Sequence, residues 1–202
     1  MNAMFTMTIL GYPGADLDEF DALARVPGLR LVVARSCAQA QDAECLVLPG
    51  SGATGADLRW LRRQGLDNAV ALHAQARRPV LGLGAGLHML GEALIDPQDI
   101  AGNGPGIGLL PLVTQLEPAR APAPAPLSFG AVIGHWAPLA GRVVPALEVR
   151  QGRSVKHPGM GPVLAVLGGG LGWQSVEGNV LGLAVRGLFQ DAGVLQALFG
   201  AA

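Results

Sequence analysis

The chain is poor in cysteine, aromatic residues and charge: 202 residues hold two cysteines, 4% aromatics and 14% charged side chains. Cys37 and Cys45 have no metal or redox spacing, which excludes a disulfide scaffold, a zinc module and a CxxC oxidoreductase. Both are expected as reduced thiols of a cytoplasmic protein, with Cys45 packed in a strand. Fourteen Lys and Arg stand against fifteen Asp and Glu, for a formal net charge of −1. No basic stripe or polybasic cluster points to nucleic acid or an anionic membrane. Apolar runs are short and broken by Gly or Pro, too short to span a bilayer. The apolar start, Met1–Leu10, lacks the basic region of a signal peptide. His73, His135 and His157 are scattered without ligand spacing, so no metal site is expected.

What the chain does have is apolar residues, 50% of the total, and 30 glycines. At this length the expectation is one folded domain over residues 1–202 with a substantial core. The glycines and 15 prolines fall mostly between apolar runs, as turns do. Residues 119–126 are the exception. Their run Ala-Pro-Ala-Pro-Ala-Pro is too short of core residues to pack and predicts an extended, polyproline-like surface segment.

In the first half strands and helices alternate. Strands are predicted at Thr6–Gly11, Leu29–Ala34, Glu44–Leu48 and Pro79–Leu83. Helices are predicted at Asp16–Ala24 with Asp16 as N-cap, at Asp57–Gln64, at Asn68–Gln75 and at Gly86–Leu94. Leu58, Leu61 and Leu66 should face inward, and Arg59, Arg62 and Arg63 water. Such alternation implies parallel strands joined by right-handed crossovers. The second half reads as short strands, Leu110–Leu116, Leu147–Arg150, Val163–Leu167 and Val180–Val185, forming an antiparallel extension of a mostly parallel α/β sheet. A last helix, Asp191–Phe199, has Asp191 as N-cap. Trp136 and Trp173 are expected to be partly exposed.

Two turns fall at the carboxyl ends of buried strands: Pro49-Gly50-Ser51 and Gly82-Leu83-Gly84-Ala85-Gly86. Ligands of open α/β sheets bind at that edge. Two glycine turns there would aim backbone N–H groups into one pocket, able to hold an anion or an oxyanion. The second turn is a strand–turn–helix elbow with Gly84 at its apex. It is no dinucleotide fingerprint, because the third glycine comes one place early and no acidic residue ends a following strand. Ser51 and Ser175 lie in no G-x-S-x-G elbow, which leaves a serine hydrolase without support.

These residues resemble a family. Leu46-Val47-Leu48-Pro49-Gly50-Ser51, Pro79-Val80-Leu81-Gly82, Met89-Leu90-Gly91, Gly106-Ile107-Gly108-Leu109-Leu110-Pro111, Glu148 with Gly152-Arg153-Ser154, and Gly187-Leu188-Phe189 are similar, in order, to the motifs of the glutamine amidotransferase domains of cobyric acid synthases. The resemblance implies a three-layer, flavodoxin-like class I amidotransferase fold. It also implies a Cys–His pair that hydrolyses glutamine, the cysteine at the elbow apex and the histidine as base and acid. In full-length members the ammonia feeds an ATP-dependent amide ligation on a corrinoid, carried out by a separate synthetase domain with no counterpart in this sequence.

The chain departs from that pattern at the chemistry. The family's "GICGGYQ" is Gly82-Leu83-Gly84-Ala85-Gly86-Leu87-His88, so Gly84 stands at the cysteine position. The family's "YLHGLF" is Ala184-Val185-Arg186-Gly187-Leu188-Phe189, so Arg186 stands at the histidine position; Arg150 takes the histidine place of "YEIHxG". Glycine offers no sulfur, and arginine stays protonated at any physiological pH. The resemblance therefore implies a stand-alone, catalytically inactive amidotransferase-like protein without catalytic residues or cofactor. It would serve as a binding or assembly subunit in cobalamin biosynthesis, with a synthetase or a corrinoid as partner. Its vestigial pocket would comprise Gly50, Ser51, Gly84, Ala85, Gly86, His88, Glu148, Arg150 and Arg186. Two alternatives stay open. Arg186 and the two turns could hold an anionic small molecule, or His88 and Glu148 could support a replaced chemistry. For His88 the plainer expectation is a hydrogen-bonded core histidine; for Arg150 and Arg186 it is surface exposure or an ion pair with an acid such as Glu148.

Overall fold

The computed structural model describes residues 5–200, and of Ala125 and Arg150 the backbone alone. In chain order the elements begin β1 (Phe5–Leu10), β2 (Leu29–Ala34), α1 (Cys37–Ala40), β3 (Cys45–Leu48), α2 (Thr54–Arg63), α3 (Leu66–Gln75), β4 (Val80–Leu83) and α4 (Ala85–Leu90). They continue with β5 (Ala93–Ile95), β6 (Gly104–Pro105), β7 (Leu112–Ser128), β8 (Val143–Lys156), β9 (Leu164–Leu167), β10 (Gly172–Gln174), β11 (Val180–Leu183), β12 (Val185–Arg186) and α5 (Ala192–Phe199).

The first sheet has the order β2-β1-β3-β4-β11-β10-β9. Strands β2 to β11 in that order run parallel, and β10 and β9 add an antiparallel margin. The parallel sheet is as expected, but of the strands assigned to its antiparallel extension only Leu164–Leu167 (β9) lies there; Val180–Leu183 is β11, parallel to β4 and buried at all four residues as a central strand, and Val185 passes to β12 of the second sheet. Alternation along β3 explains why it is buried on both faces. Cys45 and Val47 join Met7, Leu81 and Phe189 on one side, whereas Leu46 and Leu48 join Leu58, Leu61 and Leu66 on the other. Helices α2, α3 and α4 cover the second face; α5 and the 3-10 segments Asp18–Arg25 and Gly134–Leu139 cover the first. The result is three layers.

The second sheet, β12-β8-β7-β5-β6, departs most from expectation. Leu110–Leu116 and Leu147–Arg150 were each expected to be short, yet they belong to the two arms of one long ribbon, β7 and β8. Residues 119–126 are not a free polyproline segment: they continue β7 and pair with β8 through Arg120↔Arg150, Ala123↔Glu148 and Pro124↔Leu147. The spacing of the prolines permits this. Backbone N–H groups alternate between the two edges of a strand. Pro124 and Pro126 thus lack donors on one edge only, as an edge strand tolerates, and Pro122 falls in the register shift between Arg120 and Ala123, another place that tolerates proline. β5 pairs β7 only at Val113–Gln115, so no strand needs those donors.

Other expectations need local correction. Asp16–Ala24 is not a helix capped by Asp16; a 3-10 segment starts at Asp18 after Leu17. The helix Gly86–Leu94 stops at Leu90, where Gly91 turns extended (φ −68°, ψ 177°), so close to the Leu112 carbonyl oxygen that a Cβ would lie 2.9 Å from it; Ala93–Ile95 leaves as β5. Arg62 faces water only in part: its Nη2 also donates to the carbonyls of Pro105 (2.5 Å) and Gly106 (3.0 Å). Trp136 is fully buried, with its indole N–H donating to the Asn179 carbonyl at 3.0 Å. Asp191 caps α5 as expected, accepting from Val194 N at 2.9 Å.

Candidate functional site

Parallel strands β1, β3, β4 and β11 end at one edge of the first sheet, and the turns that follow meet there. The β3 turn is held by an internal network. Ser51 Oγ donates to Asp57 Oδ2 (2.5 Å) and accepts from Ala53 N (2.8 Å), while Asp57 Oδ1 accepts from Gly14 N (3.1 Å). The Tyr12 hydroxyl donates to the Pro49 carbonyl. Burial first, and then the Asp57 carboxylate, hold this phenol well above its usual range. Both polar functions of the Ser51 hydroxyl are thus committed to turn structure, and no histidine takes part.

At the elbow, Gly84 has φ +52° and ψ −115°, a region that side-chain-bearing residues avoid. Space is not the constraint. A Cβ there would lie 3.5 Å from Gly50 Cα and 3.7 Å from the Val149 methyls, ordinary contact distances. Gly86 is glycine for a different reason: a Cβ would sit 2.1 Å from the Leu48 carbonyl oxygen, so only a bare backbone lets α4 pack on β3.

Between these turns lies a cavity of about 200 Å³. Gly50, Ser51, Gly84, Ala85 and Arg186, all predicted from sequence, line it. Gly86 and His88 do not, because both lie in α4 on its buried course. Glu148 lies elsewhere, lining a second cavity with Arg120, Arg153 and Gly169. The Arg150 side chain falls outside the described residues. The ribbon supplies the outer wall with Val149, Gln151 and Pro122. None of these three was recognised in the sequence, since their role depends on strand pairing between distant segments.

The cavity also holds two acids that sequence reading missed. Asp16 had looked like a helix cap. Its backbone N–H instead donates to the Gly50 carbonyl at 2.8 Å, and its Oδ2 lies 3.0 Å from Arg186 Nη2. The partner of Arg186 is therefore Asp16. Glu19, 4% exposed, accepts the Gly187 N–H at both oxygens, at 2.9 and 2.7 Å. Burial raises its carboxyl, opposed by the Gly187 and Leu188 N–H groups and by Arg186. Two carboxylates beside one arginine make the interior a poor place for an anion.

His88 is completely buried, and neither Nδ1 nor Nε2 has a hydrogen-bond partner, contrary to the expected bonded core histidine. It is therefore not joined to Glu148. Burial holds the imidazole neutral, down at about 4. The cysteines lie away from the elbow. Cys45 is buried in β3, with its thiol pushed up by burial, and exposed Cys37 donates its S–H to the Gln64 carbonyl at 3.3 Å. Among the described residues, no helix is long and apolar enough to cross a membrane.

The model of the CobB/CobQ-like glutamine amidotransferase domain family matches residues 11–193. The chain is 52% identical over 200 residues to a cobyric acid synthase of Paracidovorax citrulli, covering 97% of this chain and 41% of that protein. It is 53% identical over 199 residues to one of Acidovorax sp. (strain JS42), covering 96% and 40%. It thus spans about two-fifths of the length of these curated relatives. A solved glutamine amidotransferase superposes with TM-score 0.72 at 16% identity, over 96% of both chains. Another, from Thermotoga maritima, gives 0.59 at 11% identity, over 98% of this chain and 80% of that one. At those identities the likeness speaks for the flavodoxin-like class I amidotransferase fold.

Proposed function

We propose that this chain, which belongs to the CobB/CobQ-like glutamine amidotransferase domain family, is a member that does not hydrolyse glutamine. It acts as a binding or assembly subunit in cobalamin biosynthesis. The observation that carries the reading is the elbow apex: Gly84 keeps the backbone conformation of a nucleophile elbow and has no side chain, while Cys37 and Cys45 lie elsewhere. Amide hydrolysis by the family's route needs a thiolate at that apex to attack the carbonyl carbon, and a base that takes and returns a proton. Arg186, at the base position, is tied to Asp16, and a guanidinium is no proton shuttle near neutral pH. What remains is an amidotransferase shell whose pocket is lined by an ion pair.

The relatives named cobyric acid synthase are more than twice as long as this chain, which supports a partner comprising the remaining synthetase portion. A cytoplasmic setting belongs to the same reading. Glutamine and the purified protein, with and without a corrinoid amide ligase, should yield no ammonia above buffer. Gly84→Cys combined with Arg186→His should bring release back, because the apex has room for a Cβ. Steady release by the unaltered protein that Arg186→Ala abolishes would overturn the proposal.

A further inference from the structure

Outside the Arg186–Asp16 pair lies a larger, unassigned groove of about 700 Å³, separate from the vacated cavity. Pro124, Pro126, Pro145, Ala146 and Leu147 form its apolar wall. The prolines sit at alternate positions of a paired ribbon, so the wall is preformed. Arg186 lines both the groove and the inner cavity. Its Nη2 lies 3.0 Å from Asp16 Oδ2, and its side chain is 44% exposed. A guanidinium carries five N–H donors in a planar fork that matches a carboxylate. Gln190, Asp191 and Ala192 form the opposite rim, with Asp191 engaged in capping α5.

We propose that this groove binds a small molecule with an apolar body and a single carboxylate, anchored by Arg186 from the groove side. In the inner cavity Asp16 and Glu19 both face the arginine; on the groove side the rim supplies Asp191, whose carboxylate accepts the Val194 N–H. Asp16 already balances the guanidinium's charge, so recognition rests on N–H donors directed at the groove and on the apolar wall, a combination that suits one carboxylate better than two. The volume lies within the roughly 300–1,000 Å³ of small-molecule sites, which are mostly apolar with a few placed polar groups. The proposal stands apart from the loss of glutaminase activity: ammonia release by this protein would leave the groove's preference as it is.

Fluorescence titration with 1-pyrenebutyrate and its neutral counterpart 1-pyrenebutanol tests it. The protein should bind the carboxylate about tenfold tighter than the alcohol, the worth of a charge-assisted hydrogen bond. Arg186→Gln should equalise the two probes. Ala192→Trp, an exposed position on the rim, should weaken both by about tenfold by filling the groove. Asp16→Asn, which frees the arginine, should sharpen the preference for the carboxylate and serves as the check if Arg186→Gln does not fold. Equal binding of the two probes by the unaltered protein, no binding, a preference that survives Arg186→Gln, a preference that falls in Asp16→Asn, or indifference to Ala192→Trp would each overturn the proposal.

Discussion

The elbow and the proline ribbon wall the same cavity and are built on opposite physical terms. The elbow is built on close approach and on one special backbone conformation. Gly82 and Gly86 lie where β3, β4 and α4 converge and missing side chains let the backbones meet, while Gly84 has space but a positive φ. The ribbon is spacious: Pro122, Pro124 and Pro126 are exposed strand residues whose spacing, not their packing, matters. A substitution in the first region should act through collision or backbone strain. In the second it should act through the shape of the surface that the site presents.

The sharpest way to break the comparison is Gly86→Ala. Its Cβ would meet the Leu48 carbonyl oxygen at 2.1 Å, so α4 must move away from β3, at about 3 kcal/mol or more by urea denaturation. A loss below about 1 kcal/mol would mean that the elbow is as yielding as the ribbon.

Acid should find the same asymmetry. The elbow helix meets the ribbon at His88, whose Cε1 lies 3.3 Å from where a Gly152 Cβ would be. Burial holds this imidazole at about 4, against an ordinary 6.5. The unfolded chain binds the proton below pH 6.5, whereas the folded one resists it until about pH 4. Stability is therefore whole above pH 6.5 and falls as pH drops through that window, by about 3 kcal/mol for this group. His73, also held at about 4, by burial and then by Arg78, adds to the loss. His88→Leu should remove its own share of the slope in unfolding curves at pH 7 and 4.5; an unchanged slope would rule out the neutral buried imidazole.

The smallest effects give the finest comparison. Gly84→Ala has room but must adopt φ +52°, so about 1–2 kcal/mol should be lost. Pro124→Ala should change stability by under about 1 kcal/mol, because an exposed strand residue loses only its pre-set φ. Equal losses at the two positions would erase the distinction.

Much of the elbow side was legible in the chain. Apolar runs of four to six residues ending in glycine turns mark buried parallel strands, and those turns bring Gly50, Ser51, Gly84 and Ala85 to one cavity. The ribbon side was not legible. Alternating Ala and Pro reads as unpaired chain, because pairing depends on which edge of the strand the missing donors face. The acids were hidden for a related reason. Asp16 sits where a helix cap would, and Glu19 looks like any first-turn acid. Their neighbours, Arg186 and Gly187, lie about 170 residues away in the chain, and no local pattern encodes that contact.

The amino-acid sequence by itself determined the parallel pairing of the first-half strands, the two turns at their carboxyl edge and the absence of sulfur at the elbow apex. These follow from local periodicity, from glycine positions and from residue identity. Only the tertiary structure decided what surrounds that apex: Asp16 on Arg186, Glu19 on the Gly187 backbone, and a proline wall opening onto a groove. Those contacts are set by strand register and by which charges become neighbours when water is excluded, and both exist only once the chain has folded.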